Sequence, residues 1–443
     1  MIKIACLCLA IATVQPLWSQ VEPSATGGPA GLDDTRMMTP PPVSGGAYPG
    51  NVGSEARENF VSVGMVVTGA YLDNIMEDPS RKIGDSEFSF APTIAIDRRT
   101  SRDSASLRYT AGFNMYRKTT GLNGATQDLS SEYKFHLARY AVVEIRDSFY
   151  QNNNLFNQAN PFTGGSVSTG APSPTAIYVY PFENSRGNSL AGGVEYQYSR
   201  NAMIGAGGNY SLLRYSSLSN ITGLDNSNTG GGSAFWSRRI LHRQYLGTIY
   251  DYSKITTDPV KTTTDTHAIL GFYTLFFTRT ISFSILGGPQ HFNSRATASG
   301  AASGSWTPEV HASAGVQTMR TGFAGGYSRI VSGAGGLIGA FHSDVAGLEV
   351  RRQVTRTWNV GATANYALFK NVTPTVSSNN PGGHTIVGTI SARRTFNVGL
   401  GLEAGYSRFH QSYYNPGSVR QLYPDCNREF VSVTYQFQRP LGR

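Results

Sequence analysis

The chain has 443 residues, a formal charge of +9 and only 15% charged residues, while its 50 glycines, 24 tyrosines and 22 phenylalanines are out of proportion for a soluble core of Leu, Ile and Val. Beyond residue 20 no stretch approaches 18 uninterrupted apolar residues, which excludes membrane-crossing helices. Of the three cysteines only Cys426 lies beyond the first ten residues, which excludes a disulfide framework and a cysteine-based metal site.

Lys3 is followed by an apolar run over residues 4–14 and then by Gln15-Pro16-Leu17-Trp18-Ser19-Gln20. A membrane anchor needs about 20 apolar residues. The shorter run reads as a secretory signal peptide over 1–19, cleaved after Ser19, which would carry away Cys6 and Cys8. Residues 20–58 are rich in Pro, Gly and Ser, as in Thr39-Pro40-Pro41-Pro42-Val43-Ser44-Gly45-Gly46, and have no apolar period. They are expected to be a disordered periplasmic leader.

From Asn59 onward the pattern is strict alternation. Ala105, Leu107, Tyr109, Ala111, Phe113 and Met115 share one face, and Ser106, Arg108, Thr110, Gly112 and Asn114 the other. Leu129, Ser131, Tyr133, Phe135 and Leu137 stand likewise against Ser130, Glu132, Lys134 and His136. Near the end, Phe396, Val398, Leu400, Leu402, Ala404 and Tyr406 stand against Asn397, Gly399, Gly401, Glu403 and Ser407. Strands this long match the roughly 9–11 residues of a tilted membrane-crossing strand. The segment 266–277 is apolar on both faces and resists orientation.

Eight short connections, nearly all holding arginine, alternate with nine longer ones rich in Gly, Asn and Ser, which gives 18 strands with both termini on the short-turn side. The expectation is an all-β, antiparallel up-and-down transmembrane barrel of 16–18 strands over 59–438, with a short tail at 439–443. A soluble sandwich or propeller also alternates, but its second face would be buried, and here that face is polar, glycine-rich and charged. An apolar outside around a polar inside belongs in lipid. Tyr71, Tyr116, Tyr150, Tyr215 and Tyr366, near strand ends, are expected in the interfacial girdle.

The closing segment Arg428-Glu429-Phe430-Val431-Ser432-Val433-Thr434-Tyr435-Gln436-Phe437 resembles the C-terminal strand that barrel-assembly machinery recognises, with Val431, Val433, Tyr435 and Phe437 as its outward set. Such strands usually end the chain at the aromatic residue, whereas six residues follow here. From about residue 59 the chain is similar to the large, functionally uncharacterised outer-membrane barrels of the porin type. That resemblance implies an integral bacterial outer-membrane protein with both termini in the periplasm.

The pore-lining candidates are Arg108, Glu132, Lys134, His136, Glu144, Arg146, Glu195 and Glu403. A short hairpin loop at 138–140 sets Lys134 opposite Glu144 and Glu132 opposite Arg146. Shifting that pairing by two residues would set Lys134 against Arg146, so charge favours the first register. The long connection after the fifth strand, over 152–187, corresponds in position and length to the loop that narrows porins. Asn152, Asn153, Asn154, Phe162, Phe182 and Glu183 are its constriction candidates. The glycine-rich segment 333–339 falls in a connection between strands; with no helix after it, it is no phosphate cradle.

No metal-like histidine spacing and no nucleophile elbow occur, so no catalytic residue, cofactor or metal is expected and the chain is not read as an enzyme. Fifteen of the 30 arginines fall in the short turns. That ring suits contacts with anionic headgroups, whereas a nucleic-acid partner would need one basic surface with stacking aromatics. The expected partners are outer-membrane lipid and lipopolysaccharide, barrel-assembly machinery, and small solutes or a polysaccharide; a homo-oligomer is compatible with the sequence. The expected function is a channel for passive passage of small hydrophilic solutes. The alternatives are an export or docking barrel for a surface polysaccharide and an adhesin or structural barrel.

Overall fold

The computed structural model describes residues 59–441 apart from 76–81, 153–183, 216–225, 259–260, 279, 297–301, 319, 335–336, 373–381, 397–398 and 414–424. The expected signal peptide, the leader and five of the six constriction candidates (Asn153, Asn154, Phe162, Phe182 and Glu183) therefore lie outside the described residues.

The strands, in chain order, begin with β1 (Phe60–Leu72), β2 (Asp85–Arg99), β3 (Asp103–Tyr116), β4 (Gly124–Ala138), β5 (Ala141–Asn152) and β6 (Ser185–Ser199). They continue with β7 (Ala202–Tyr215), β8 (Asn226–Leu241), β9 (Gln244–Asp258), β10 (Thr262–Phe276), β11 (Ile281–Ala296) and β12 (Ala302–Gln317). They end with β13 (Thr321–Ala334), β14 (Leu337–Gln353), β15 (Trp358–Asn371), β16 (Gly383–Thr395), β17 (Leu400–Tyr413) and β18 (Asp425–Pro440). Each pairs antiparallel with its chain neighbours, and β1 closes on β18, with Phe60 opposite Pro440 and Leu72 opposite Arg428. The sheet is thus a closed 18-strand barrel.

Facing residues of paired strands share a side, so alternation becomes two surfaces. Across β18, β1 and β2 the outward surface carries Val433, Val67 and Phe90 in one row and Tyr435, Met65 and Pro92 in the next. On the inward side Thr68 and Ser432 share a hydroxyl hydrogen bond of 2.7 Å.

At the short-turn end the structural work is done by threonine. Thr100 Oγ1 accepts the N–H of Arg102 and Asp103, Thr278 Oγ1 those of Thr280 and Ile281, and Thr355 Oγ1 those of Thr357 and Trp358. Each side chain mimics a backbone turn and sets the reversal.

Several boundaries differ from the sequence reading. The Phe396 N–H donates to the Leu400 carbonyl, Gly399 stands at φ +78°, and β17 starts only at Leu400. A Cβ at Gly399 would strike the Gln436 carbonyl, so only glycine fits. Residues 185–187 belong to β6, and β18 runs on to Pro440. The connections at the other end are not uniformly long: 259–261 join β9 to β10, and 335–336 join β13 to β14. The glycine-rich segment 333–339 is therefore mostly strand. Of the five girdle tyrosines, Tyr71 and Tyr366 face outward, whereas Tyr116, Tyr150 and Tyr215 fall on inward positions opposite Glu87, Asp128 and Ser185.

The interior is not uniformly polar. Met203, Phe235, Tyr245, Ile249, Ala268, Leu270, Phe272, Phe276 and Leu286 form a buried apolar cluster on the inward side of β7–β11. This is why 266–277 reads as apolar on both faces. Gly288 lies beneath the Ile269 backbone, where a Cβ would collide with the carbonyl. Gly288→Ala is expected to cost about 1–3 kcal/mol through overpacking, read as a fall in the unfolding midpoint of the refolded barrel.

Candidate functional site

A charged ladder stands on the inward side of β4 and β5. Lys134 pairs with Glu144 and Glu132 with Arg146, in the register that charge favours. The Lys134 ammonium lies 2.7 Å from Glu132 and 3.8 Å from Glu144. Arg146 Nε lies 3.3 Å from Glu132 and also contacts Glu144. Each cation therefore meets both carboxylates. The Glu144 side chain is 6% exposed, against 35% for Lys134 and 25% for Arg146. One buried carboxylate holds two cations that reach into the lumen.

The other candidates extend this wall unevenly. Arg108, inward on β3, acts electrostatically on Asp97 of β2 and Asp128 of β4. Glu195 is buried on the inward side of β6, opposite Val142. Glu403 faces inward on β17 opposite Arg393, a residue the sequence placed in a turn. His136 sits at the short-turn rim, where its ring and its N–H both reach the Arg102 carbonyl, so it fastens a turn. Asn152 ends β5 opposite Ser185. The sequence reading missed Glu349 and Arg351 on β14, which pair at 2.6 Å on the inward side. Their signal was two-residue spacing within one strand.

The opposite sector of the lumen is packed. Pairing between β12 and β13 runs only from Val310–Arg329 to Gln317–Gly322, although β12 starts at Ala302 and β13 continues to Ala334. The ladder stops beside Pro308, which has no N–H to donate. Beyond the break, the Val331 N–H is taken at 2.9 Å by the side chain of Gln290, from β11, two strands away. Val331 and Ala340 pack with Ile255 of β9 and Phe292 of β11. β9 and β10 come within 8 Å, Cα to Cα, of β14. The loop end of β13 and β14 thus bends inward and lies over the inner wall of β9–β11. An unsatisfied buried N–H would cost about 1–3 kcal/mol, so Gln290 acts as a latch.

Below this flap Glu309 and His311 are fully buried on the inward side of β12, with Oε1 and Nε2 3.0 Å apart. Among the described residues no group of three His, Cys, Asp or Glu side chains could hold a metal ion.

The arrangement is a barrel with one solvated, charged wall and one filled sector. No protein-family model and no curated protein matches the chain. Among solved structures it is similar to the unliganded ferric citrate transporter FecA, at 10% identity and a TM-score of 0.44, covering 85% of this chain. The chain spans 64% of the FecA chain. It is also similar to Pseudomonas aeruginosa OpdL, at 10% identity and a TM-score of 0.40, over 86% of this chain and 99% of that one. With Acinetobacter baumannii OccAB4 the values are 8% and 0.42, over 87% and 100%. The likeness is one of barrel architecture alone.

Proposed function

We propose that this chain is an integral outer-membrane channel that passes small hydrophilic solutes passively through a narrowed lumen with one charged wall. The observation that carries the reading is the ladder of Lys134, Arg146, Glu132 and Glu144, solvated from the inside of a closed barrel whose outward face is apolar. Charged groups on a lumen wall select among permeants by sign, and the inward-bent flap limits them by size. Barrel-assembly machinery would insert the chain through the outward set Val431, Val433, Tyr435 and Phe437 of β18.

The test is conductance of the refolded protein in a planar bilayer. Discrete steps, smaller than an unobstructed 18-strand barrel would give, are expected. A silent barrel would sink the open-channel reading. The inward-bent flap favours one alternative: an export barrel for a surface polysaccharide, shut at rest. In that case the same bilayer would stay silent until the flap is removed.

A further inference from the structure

We propose that the outward wall of β9–β12 carries a binding site for the phosphorylated sugar headgroup of an outer-leaflet glycolipid. The inference rests on the outer-membrane reading but not on conduction.

Register brings four rings from four strands into one outward row: Tyr252 faces His267, His267 faces His291, and His291 faces Trp306. Ring centroids are 4.9 Å apart in both the Tyr252–His267 and His291–Trp306 pairs. Trp306 is 69% exposed. The next row toward the loops is polar, with Lys254 opposite Asp265 and Asp265 opposite Asn293. Toward the turns the same wall is apolar, and Ile269 is 64% exposed there. The ring row from Tyr252 to His291 and the polar row from Lys254 to Asn293 line an open cleft of about 740 Å³, with Trp306 and Ile269 beyond its edges.

The two opposite charges in the cleft do not close on each other. Asp265 sits directly opposite Lys254, yet its carboxylate accepts the Tyr252 hydroxyl at 3.3 Å. Among the described residues no carboxylate lies within ion-pairing distance of the Lys254 ammonium. Arg295, exposed on β11, adds a second outward cation one row further toward the loops.

The order of rows along the strands matches one class of molecule. An apolar surface takes acyl chains, aromatic faces stack on sugar rings, and Lys254 with Arg295 take phosphate through charge-assisted hydrogen bonds. Asp265 and Asn293 remain to accept or donate to sugar hydroxyls. A plain phospholipid would leave the ring row without sugars to stack on.

The experiment uses the full chain, extracted in detergent and stripped of lipid. Three probes are added: purified rough lipopolysaccharide, the same material dephosphorylated, and phosphatidylglycerol micelles. Retention is followed by co-elution and by the part of the tryptophan emission change that Trp306→Phe abolishes. Lipopolysaccharide should bind, dephosphorylation should weaken it about tenfold, and Lys254→Ala with Arg295→Ala should weaken it to a similar degree. Lys370→Ala, which removes an exposed outward cation on β15, should change nothing. Equal retention by wild type and the double variant, equal binding of phosphatidylglycerol, or no lipid binding at all would each overturn the site. Binding that persists in a barrel without conductance would support the cleft while failing only the channel reading.

Discussion

Replacing residues 331–342 with Asn-Gly should raise the single-channel conductance by roughly two- to fivefold, because the filled sector of the lumen would empty into the solvated one. Ile330 and Ser343 already face each other at the root of the excised segment, so a two-residue turn joins them without changing register. The wall below is kept, from Arg329 opposite Asp344 down to Thr321 opposite Arg352. Gln290→Leu supplies the smaller version. It removes the acceptor for the Val331 N–H while keeping most of the volume, and should produce brief excursions to the larger conductance. Identical conductance in wild type and the Asn-Gly variant would show that the flap lies outside the conducting path. Conductance appearing only in the variant would move the assignment to the export barrel.

The sequence made the wall legible and left the filling illegible, and the reason is physical. Strand number, order and the Lys134–Glu144 register follow from local information: a period of two, short turns, and opposite charges that face each other. The inward bend depends on a contact between Gln290 and Val331, which are 41 positions apart and on strands that are not neighbours. No local period encodes that. Two clues were nonetheless present. Residues 266–277 are apolar on both faces, as expected for a strand that meets lipid on one side and the inward cluster around Leu270 and Phe272 on the other. Pro308, inside an otherwise continuous strand, marks where a ladder must stop. Tyr116, Tyr150 and Tyr215 lie near strand ends yet miss the girdle because parity, not closeness to an end, decides which surface a side chain joins; each sits an odd number of positions from an outward neighbour such as Met115, Phe149 or Leu212. In the short turns the arginines draw attention, but the hydroxyls of Thr100, Thr278 and Thr355 make the turns.

Glu144→Gln should both loosen the barrel and shift its ion selectivity toward anions, and the two effects together separate a pore wall from a strut. Glu144 is the buried member of the ladder, and its carboxylate is shared by Lys134 and Arg146. Losing one partner of a fully buried pair costs about 3–5 kcal/mol, but both cations here are partly solvated and keep Glu132, so a loss of about 1–2 kcal/mol is expected. Thermal unfolding of the refolded barrel would read it. The electrostatic effect follows from the sign of the change: one negative charge leaves the wall, so the reversal potential under a salt gradient should move in the anion-selective direction, and Glu144→Lys should move it further. The shift should shrink as salt is raised, since screening lengths fall to about 3 Å at 1 M. A fall in stability with no change in reversal potential would assign the ladder to holding β4 against β5. A change in selectivity that follows the charge, equal in size for Glu144→Lys and a reversal at the more exposed Glu132, would place the whole ladder on the permeation path.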